Sequence, residues 1–273
     1  MNKFLKISIV TPSYNQGKFI EDAIQSVLLQ NYPNFEHIII DNCSTDGTLE
    51  ILKAYPHLIM VSEPDRGQSD ALNKGFKMAT GNIIGWLNAD DYYLPNCFWI
   101  ISKFIKNNPK VDIVYGDYRW VDENGKLLKL RRELDFDLFM LKYLHVLYIP
   151  TTASFFKSKI LQEGNLLDVS YKYAMDYEFF LRLALKGYKF AHTKYFLADF
   201  RWHTGSKSSS SSQKQYEEQG IALLRHDVFL NSLPLITRKL VRYLLMVMAR
   251  VKRYFLKFIF GYYLEQFLRG RKF

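Results

Sequence analysis

The sequence holds only two cysteines, Cys43 and Cys97, far apart and without metal-ligand spacing. That excludes a disulfide framework and a thiolate zinc site, and it suits a reducing compartment. The first turn, Thr11–Gly17, has no G-x-G-x-x-G, which disfavours a nicotinamide or flavin cofactor held in the usual way. No membrane-crossing run occurs near the C-terminus: Tyr243–Ala249 is far short of the roughly 18–20 apolar residues needed. The opening Met1–Val10 is too short and too quickly polar for a signal peptide, so a cytoplasmic protein is expected. Acids are nearly missing from residues 231–273, where ten Lys/Arg face Glu265 alone and supply +9 of the net +10. The first 230 residues are close to neutral, so no uniformly basic nucleic-acid binder is expected.

What is present is a chain of 273 residues, 48% of them apolar, enough to bury a full core. Its first half alternates short β-branched runs with helical patterns. Strands are expected at Ile7–Val10, at a run ending in Asp41, at Leu58–Ser62 and at Ile83–Leu87. Helices are expected over Phe19–Gln30, Thr48–Tyr55 and Gln68–Ala79. This alternation predicts an α/β fold with a mostly parallel central sheet flanked by helices. Ligands in such sheets bind outside the carboxyl ends of the strands. Four polar clusters would then face one crevice: Thr11–Ser13, Asp41-Asn42, Glu63–Arg66 and Asn88–Asp91. In the second half the patterns predict a strand at Asp112–Tyr118, a hairpin turn at Asn124-Gly125 and a strand at Thr152–Phe156. A helix at Asp176–Leu185, extended chain at Lys189–Phe200 and a further helix at Gln213–Leu230 follow, with a serine-rich loop at Ser206–Ser212.

Two of these clusters carry chemistry by residue type alone. Asp41, at a strand end, can accept hydrogen bonds from ribose hydroxyls or a base N–H; a helix cap or loop salt bridge would need the same residue. Asp90 and Asp91 directly follow a buried strand and would repel each other if left bare. A divalent cation, Mn²⁺ or Mg²⁺, relieves that repulsion and bridges to phosphate oxygens, whereas a solvated loop would leave both acids in water.

Taken in order, Thr11-Pro12-Ser13-Tyr14-Asn15, Asp41–Thr48, Glu63–Gly67 and Asn88-Ala89-Asp90-Asp91 resemble the motifs of glycosyltransferase family 2. That is a large group of inverting enzymes with the GT-A fold, and the resemblance runs over about residues 5–205. It implies a donor site in which Thr11, Pro12 and Asp41 hold the nucleoside, with Ser13 and Tyr14 beside them. Asp65 and Arg66 would lie near the base or diphosphate, and Asn88, Asp90 and Asp91 at the metal and sugar. The family's acidic motif often reads Asp-x-Asp; Asn88 here removes one charge and leaves Asp90 as the metal ligand. Asp176, in Tyr173–Glu178, occupies the place of the general base, with Glu178, on a different helix face, second; a plain helix-cap role would suit Asp176 too. Arg201–Lys207 resembles the closing segment, in which His203 reaches the metal or pyrophosphate and Lys207 faces phosphate.

The expected reaction is metal-assisted transfer from a nucleotide sugar, UDP first and GDP or dTDP next, to a saccharide or lipid-linked acceptor. Two other classes fit less well. A non-catalytic scaffold on this fold would not need Asp90, Asp91 and Asp176 intact, and a nucleotidyltransferase would show a Gly-rich basic loop after the first strand. Residues 1–230 are read as the catalytic domain and 231–273 as a basic helical tail. On a helix, Lys239, Arg242, Arg250, Arg253 and Lys257 form one stripe, opposite Leu240, Val241, Leu244, Met248, Val251, Phe255, Phe258 and Ile259, with Lys252 breaking the pattern. Such a helix suits the inner face of an anionic cell membrane; packing on the catalytic domain or on another subunit is the alternative.

Overall fold

Alternate residues of the first strand, β1 (Ile7–Ser13), serve two different apolar clusters. The structure, a computed structural model, describes residues 4–144, 146–206 and 212–262. Ile7 and Ile9 pack with Ala23 and Val27 of α1 (Ile20–Leu28) and with Phe98 and Ile101 of α4 (Cys97–Asn107). Val10 points the other way, onto Leu72 and Phe76 of α3 (Gln68–Met78). A residue with a Cβ at Gly75 would approach Val10 Cγ1 to 2.4 Å, so that glycine lets α3 lie tightly on the sheet. Helix α2 (Thr48–Lys53) closes a third, smaller cluster through Leu52, Ile20 and Ile39.

The expected parallel sheet holds in the first half. Strands β2 (Phe35–Asp41), β3 (Leu58–Ser62) and β4 (Ile83–Trp86) join β1 in the order β3-β2-β1-β4, all parallel. Strand β1 runs three residues beyond its expected end, because Thr11–Ser13 pair with Ile39–Asp41 and carry the ladder into the polar motif. Beyond β4 the sheet is mixed. Strand β8 (Ser154–Lys157) lies antiparallel between β4 and β6 (Ile113–Val121), and β9 (Phe190–Arg201) runs parallel to β6. The short β5 (Tyr92–Tyr93) pairs with β9, and β7 (Leu127–Arg131) forms the expected hairpin with β6, Gly125 taking φ +79° in its turn. Helices α5 (Leu138–Tyr143), α6 (Lys159–Gln162) and α7 (Met175–Leu185) complete this half.

The helix expected over Gln213–Leu230 is two helices, α8 (Ser212–His226) and α9 (Val228–Ser232). Asp227 breaks the run. Its carboxylate accepts from the Leu230 amide at 3.1 Å, from Tyr143 Oη at 2.7 Å and from Lys142 Nζ at 2.8 Å. The tail forms α10 (Leu235–Ile259), which is built into the fold: Ala249 and Met246 are buried, and Val241, Leu245 and Leu256 pack on the cluster that holds α5 and α7. Arg242, Arg253 and Lys257 face inward, whereas Lys239, Arg250 and Lys252 are exposed. Buried Glu133 takes Arg253 at 2.9 Å and Lys257 at 3.0 Å, and Asp137 takes Lys252. No helix among the described residues is long and apolar enough to cross a membrane.

Candidate active site

The carboxyl ends of β1, β2 and β3 are stitched together by side chains that contact backbone. Asn15 N and Gln16 N donate to Ser44 Oγ and Thr48 Oγ1, Gly17 N donates to Asp46, and Asn15 Oδ1 accepts from Thr45 N. Asn42 Oδ1 accepts from Asp65 N, and Arg66 pairs with Asp70 on the exposed side. Asp41 is wholly buried. Ser44 N, Ser44 Oγ and Ser62 Oγ all donate to its carboxylate, so its visible work is to shape the nucleoside-side loop. Thr11 also points inward, 3.0 Å from the His37 ring, which burial and then the His57 charge hold neutral at about 3. Pro12 is buried in β1, whereas Tyr14 is exposed at its end. Among the described residues Ser13 Oγ and Gln16 Oε1 are buried without partners, two unmet polar atoms at the mouth of the crevice.

The acidic segment divides its two carboxylates. Asp90 Oδ2 lies 3.0 Å from His203 Nε2, with side chains 20% and 11% exposed. Phe19 packs against the same imidazole at 4.7 Å between ring centres. Asp91 is enclosed instead: Thr152 Oγ1 and Asn88 Nδ2 donate to Oδ2, and the Arg201 amide donates to Oδ1 at 2.9 Å. Burial, then the Asp90 charge, push the Asp91 carboxyl well above the usual range. Asn88 is a hub, its Oδ1 accepting from Gln68 Nε2 and Trp86 Nε1, both at 2.9 Å.

Asp176 is brought to this place through α3. Ser69, next to Gln68, donates to Tyr171 O and Met175 Sδ, which sets the start of α7 beside the Asn88 loop. Asp176 sits in the first turn of α7, where its carboxylate accepts from the Tyr177 amide at 2.8 Å. Desolvation raises its pKa to about 6. The segment leading into this helix is held by another residue: Glu218 of α8 accepts from the amides of Lys172, Tyr173 and Ala174, the three residues just before it. Behind His203, Arg201 pairs with Asp22 at 2.5 Å and lies over Phe19 and Tyr92. Trp202 stacks on Trp120 at 5.1 Å and 15°, with Arg131 on the other ring. Two concavities of about 190 and 310 Å³ lie at the amino end of β4 and hold none of these residues.

The model of the family described as glycosyl transferase family 2 matches residues 8–164, more than half of the chain. The chain belongs to glycosyl transferase family 2. As a glycosyltransferase of this family it is 41% identical over 90 residues to TuaG of Bacillus subtilis (strain 168), a glycosyltransferase named for teichuronic acid biosynthesis; that match covers 31% of this chain and 36% of the relative. It is 28% identical over 218 residues to MJ1057, an uncharacterized glycosyltransferase of Methanocaldococcus jannaschii, covering 77% of this chain and 75% of the relative. The match to the Bacillus relative thus spans about a third of that protein's length. Among solved structures, S. aureus TarS 1–349 in complex with UDP-GlcNAc superposes with a TM-score of 0.66 at 20% identity, over 82% of this chain and 68% of that one. The mannosyltransferase PcManGT from Pyrobaculum calidifontis, in complex with GDP-Man and Mn²⁺, gives 0.66 at 20% identity, over 92% of this chain and 74% of that one. The glycosyltransferase therefore has the GT-A fold expected of it.

Within the glycosyltransferase, the sequence-predicted Asp90 and His203 are in contact, while Asp91 faces inward and Lys207 lies outside the described residues. Among the described residues no three His, Cys, Asp or Glu side chains gather as a metal cluster. Asp90 and His203 offer one oxygen and one nitrogen, a set that leaves most positions of a divalent ion for phosphate and water oxygens. The residues fit such an ion on those terms. Gln68, Thr152 and Glu218 are not legible as site residues in the sequence, since each belongs to the site through a partner distant in the chain.

Proposed function

We propose that this glycosyltransferase moves a sugar, with inversion, from a nucleoside-diphosphate sugar to a hydroxyl of a saccharide or lipid-linked saccharide. The observation that carries the reading is the Asp90–His203 pair at 3.0 Å, joined through Asn88, Gln68 and Ser69 to the segment that bears Asp176. A UDP-sugar is the first choice of donor. Complexes of UDP-GlcNAc and UDP with TarS, and of GDP-Man and Mn²⁺ with PcManGT, support a nucleotide-sugar donor in this fold.

In this reading the loops at Thr11–Tyr14, Asp41-Asn42 and Asp65-Arg66 receive the nucleoside. Mn²⁺ or Mg²⁺, held by Asp90 and His203, would neutralise the diphosphate and stabilise the departing charge. Asp176 takes the acceptor hydroxyl proton as that oxygen bonds to the anomeric carbon; the bond to the diphosphate breaks, and its electron pair leaves with the nucleoside diphosphate. Asp91 stays enclosed and holds the Arg201 amide, which fixes the approach of His203. The acceptor's setting gives the enzyme its place, cytoplasmic and peripheral on the inner face of the cell membrane.

Calorimetric titration with UDP, GDP and dTDP, each with and without Mn²⁺, tests the donor site. Mn²⁺-dependent binding of one nucleotide is the expected result. Folded protein that binds none of them under either condition would overturn the reading. A product assay separates glycosyl transfer, which releases nucleoside diphosphate, from nucleotidyl transfer, which releases pyrophosphate.

A further inference from the structure

Helix α10 is mounted with its polar side inward. Arg242, Met246, Ala249, Arg253 and Lys257 face the catalytic fold, and Arg253 and Lys257 are neutralised there by Glu133. The opposite side carries large apolar side chains in solvent. Twelve of the 25 residues of this helix are exposed large hydrophobics. They include Ile236 (85% exposed), Leu240, Leu244, Val251 (61%), Phe255 (61%) and Phe258 (74%). At about 100° per residue these six fall within an arc of about 100°, centred opposite the buried side. A scattered exposed leucine needs no partner, but a continuous face about 37 Å long does.

The geometry points to this face as a lipid-inserting surface that lies flat in the headgroup–acyl boundary of an anionic bilayer. The proposal rests on the membrane setting given above and names the part that makes contact. It reverses the role the sequence pattern suggests for the cations, because Arg253 and Lys257 are spent on Glu133 and cannot meet headgroups. Lys239 and Arg250 remain exposed along one edge of the apolar arc, as headgroup contacts should, and Lys252 lies exposed on the other edge while paired with Asp137. Charge also separates a bilayer from a second copy of the chain. Residues 231–262 contain no acid, so a two-fold pairing of this face would set cations against cations. An anionic surface meets both the apolar arc and its basic edges.

The test uses the full chain and vesicles of phosphatidylcholine alone, or mixed with phosphatidylglycerol, at low and high salt. Wild-type protein is expected to sediment with both, several-fold better with the anionic mixture, and to keep most of its binding at high salt, because burial of apolar area is not screened. Val251→Glu with Phe255→Glu, both at exposed positions, should weaken binding more than about tenfold. Lys239→Ala with Arg250→Ala should weaken it only a few-fold and only on anionic vesicles. Three results would overturn the proposal: unchanged binding of the double glutamate variant, binding confined to anionic vesicles and abolished by salt, or a vesicle-free dimer that the glutamates dissolve. Thermal melts and Mn²⁺-dependent UDP titration on the same variants show whether a loss belongs to this face or to the donor site.

Discussion

Asp90 and Asp91 are adjacent in the chain, yet one meets His203 at the crevice and the other is enclosed by Thr152, Asn88 and the Arg201 amide. The two should fail differently when changed. Asp90→Asn is expected to lose Mn²⁺-dependent nucleotide affinity by more than about tenfold with an unchanged melting temperature. Asp91→Asn would turn an amide N–H₂ toward Asn88 Nδ2 or the Arg201 amide and should cost about 1–3 kcal/mol of stability, read as a lower urea midpoint. Asp176 gives a pH signature. A base acts only when deprotonated, and desolvation raises this carboxyl to about 6. The turnover number should therefore rise as pH climbs through about 6 and then level off. Asp176→Asn should lower it by about 10²–10⁴-fold while UDP binding persists.

At the scale of elements, the turn of α7 that carries Asp176, the proposed base, is held by means of α8. Glu218 accepts from three amides just before Asp176, and its charge adds to the rise of the Asp176 pKa. Glu218→Gln should lower turnover more than donor affinity and move the acid limb of the pH profile downward. A mere loss of packing would lower the melting temperature and leave that limb in place. This coupling also marks where sequence reading stops. β1 to β4 and their helices are legible because each strand is a buried apolar run and each helix has one apolar face. The polar clusters at their carboxyl ends are legible for the same reason, since the topology fixes which end they occupy. The mixed half is not, because β8 and β9 reach β4 and β6 across long intervals of chain that local periodicity does not encode. Thr152 and Glu218 join the site by such contacts, and a threonine or a glutamate alone carries no signal of its distant partner.

For the whole molecule, the tail is part of the core and its removal would strip more than a binding device. The amphipathic period of α10 is plain in the sequence, but which side faces the protein depends on Glu133, about a hundred residues earlier. Glu133→Gln should cost ~3 kcal/mol, because Arg253 and Lys257 then face a buried neutral amide. Burial already pulls Lys257 down to about 8, from a usual value of 10.5, and without Glu133 it falls further. The variant therefore sheds this proton at lower pH than the wild type does, and its stability begins to rise there first. Urea midpoints of the two should converge as pH rises toward about 8 and run parallel above it.

The stacked indoles beside His203 make the protein its own optical probe. Of four tryptophans, Trp120 and Trp202 form one pair next to the closing segment, and Trp86 is tied to Asn88. Three of the four emitters thus border the crevice, and only Trp99 sits apart, against Phe4 and Tyr32. Docking of a nucleotide should change the intensity or wavelength of intrinsic emission, with no label attached. Trp202→Phe should remove the part that follows movement of the His203 segment and keep the part from Trp86, so that two events in one catalytic cycle could be timed separately by their light.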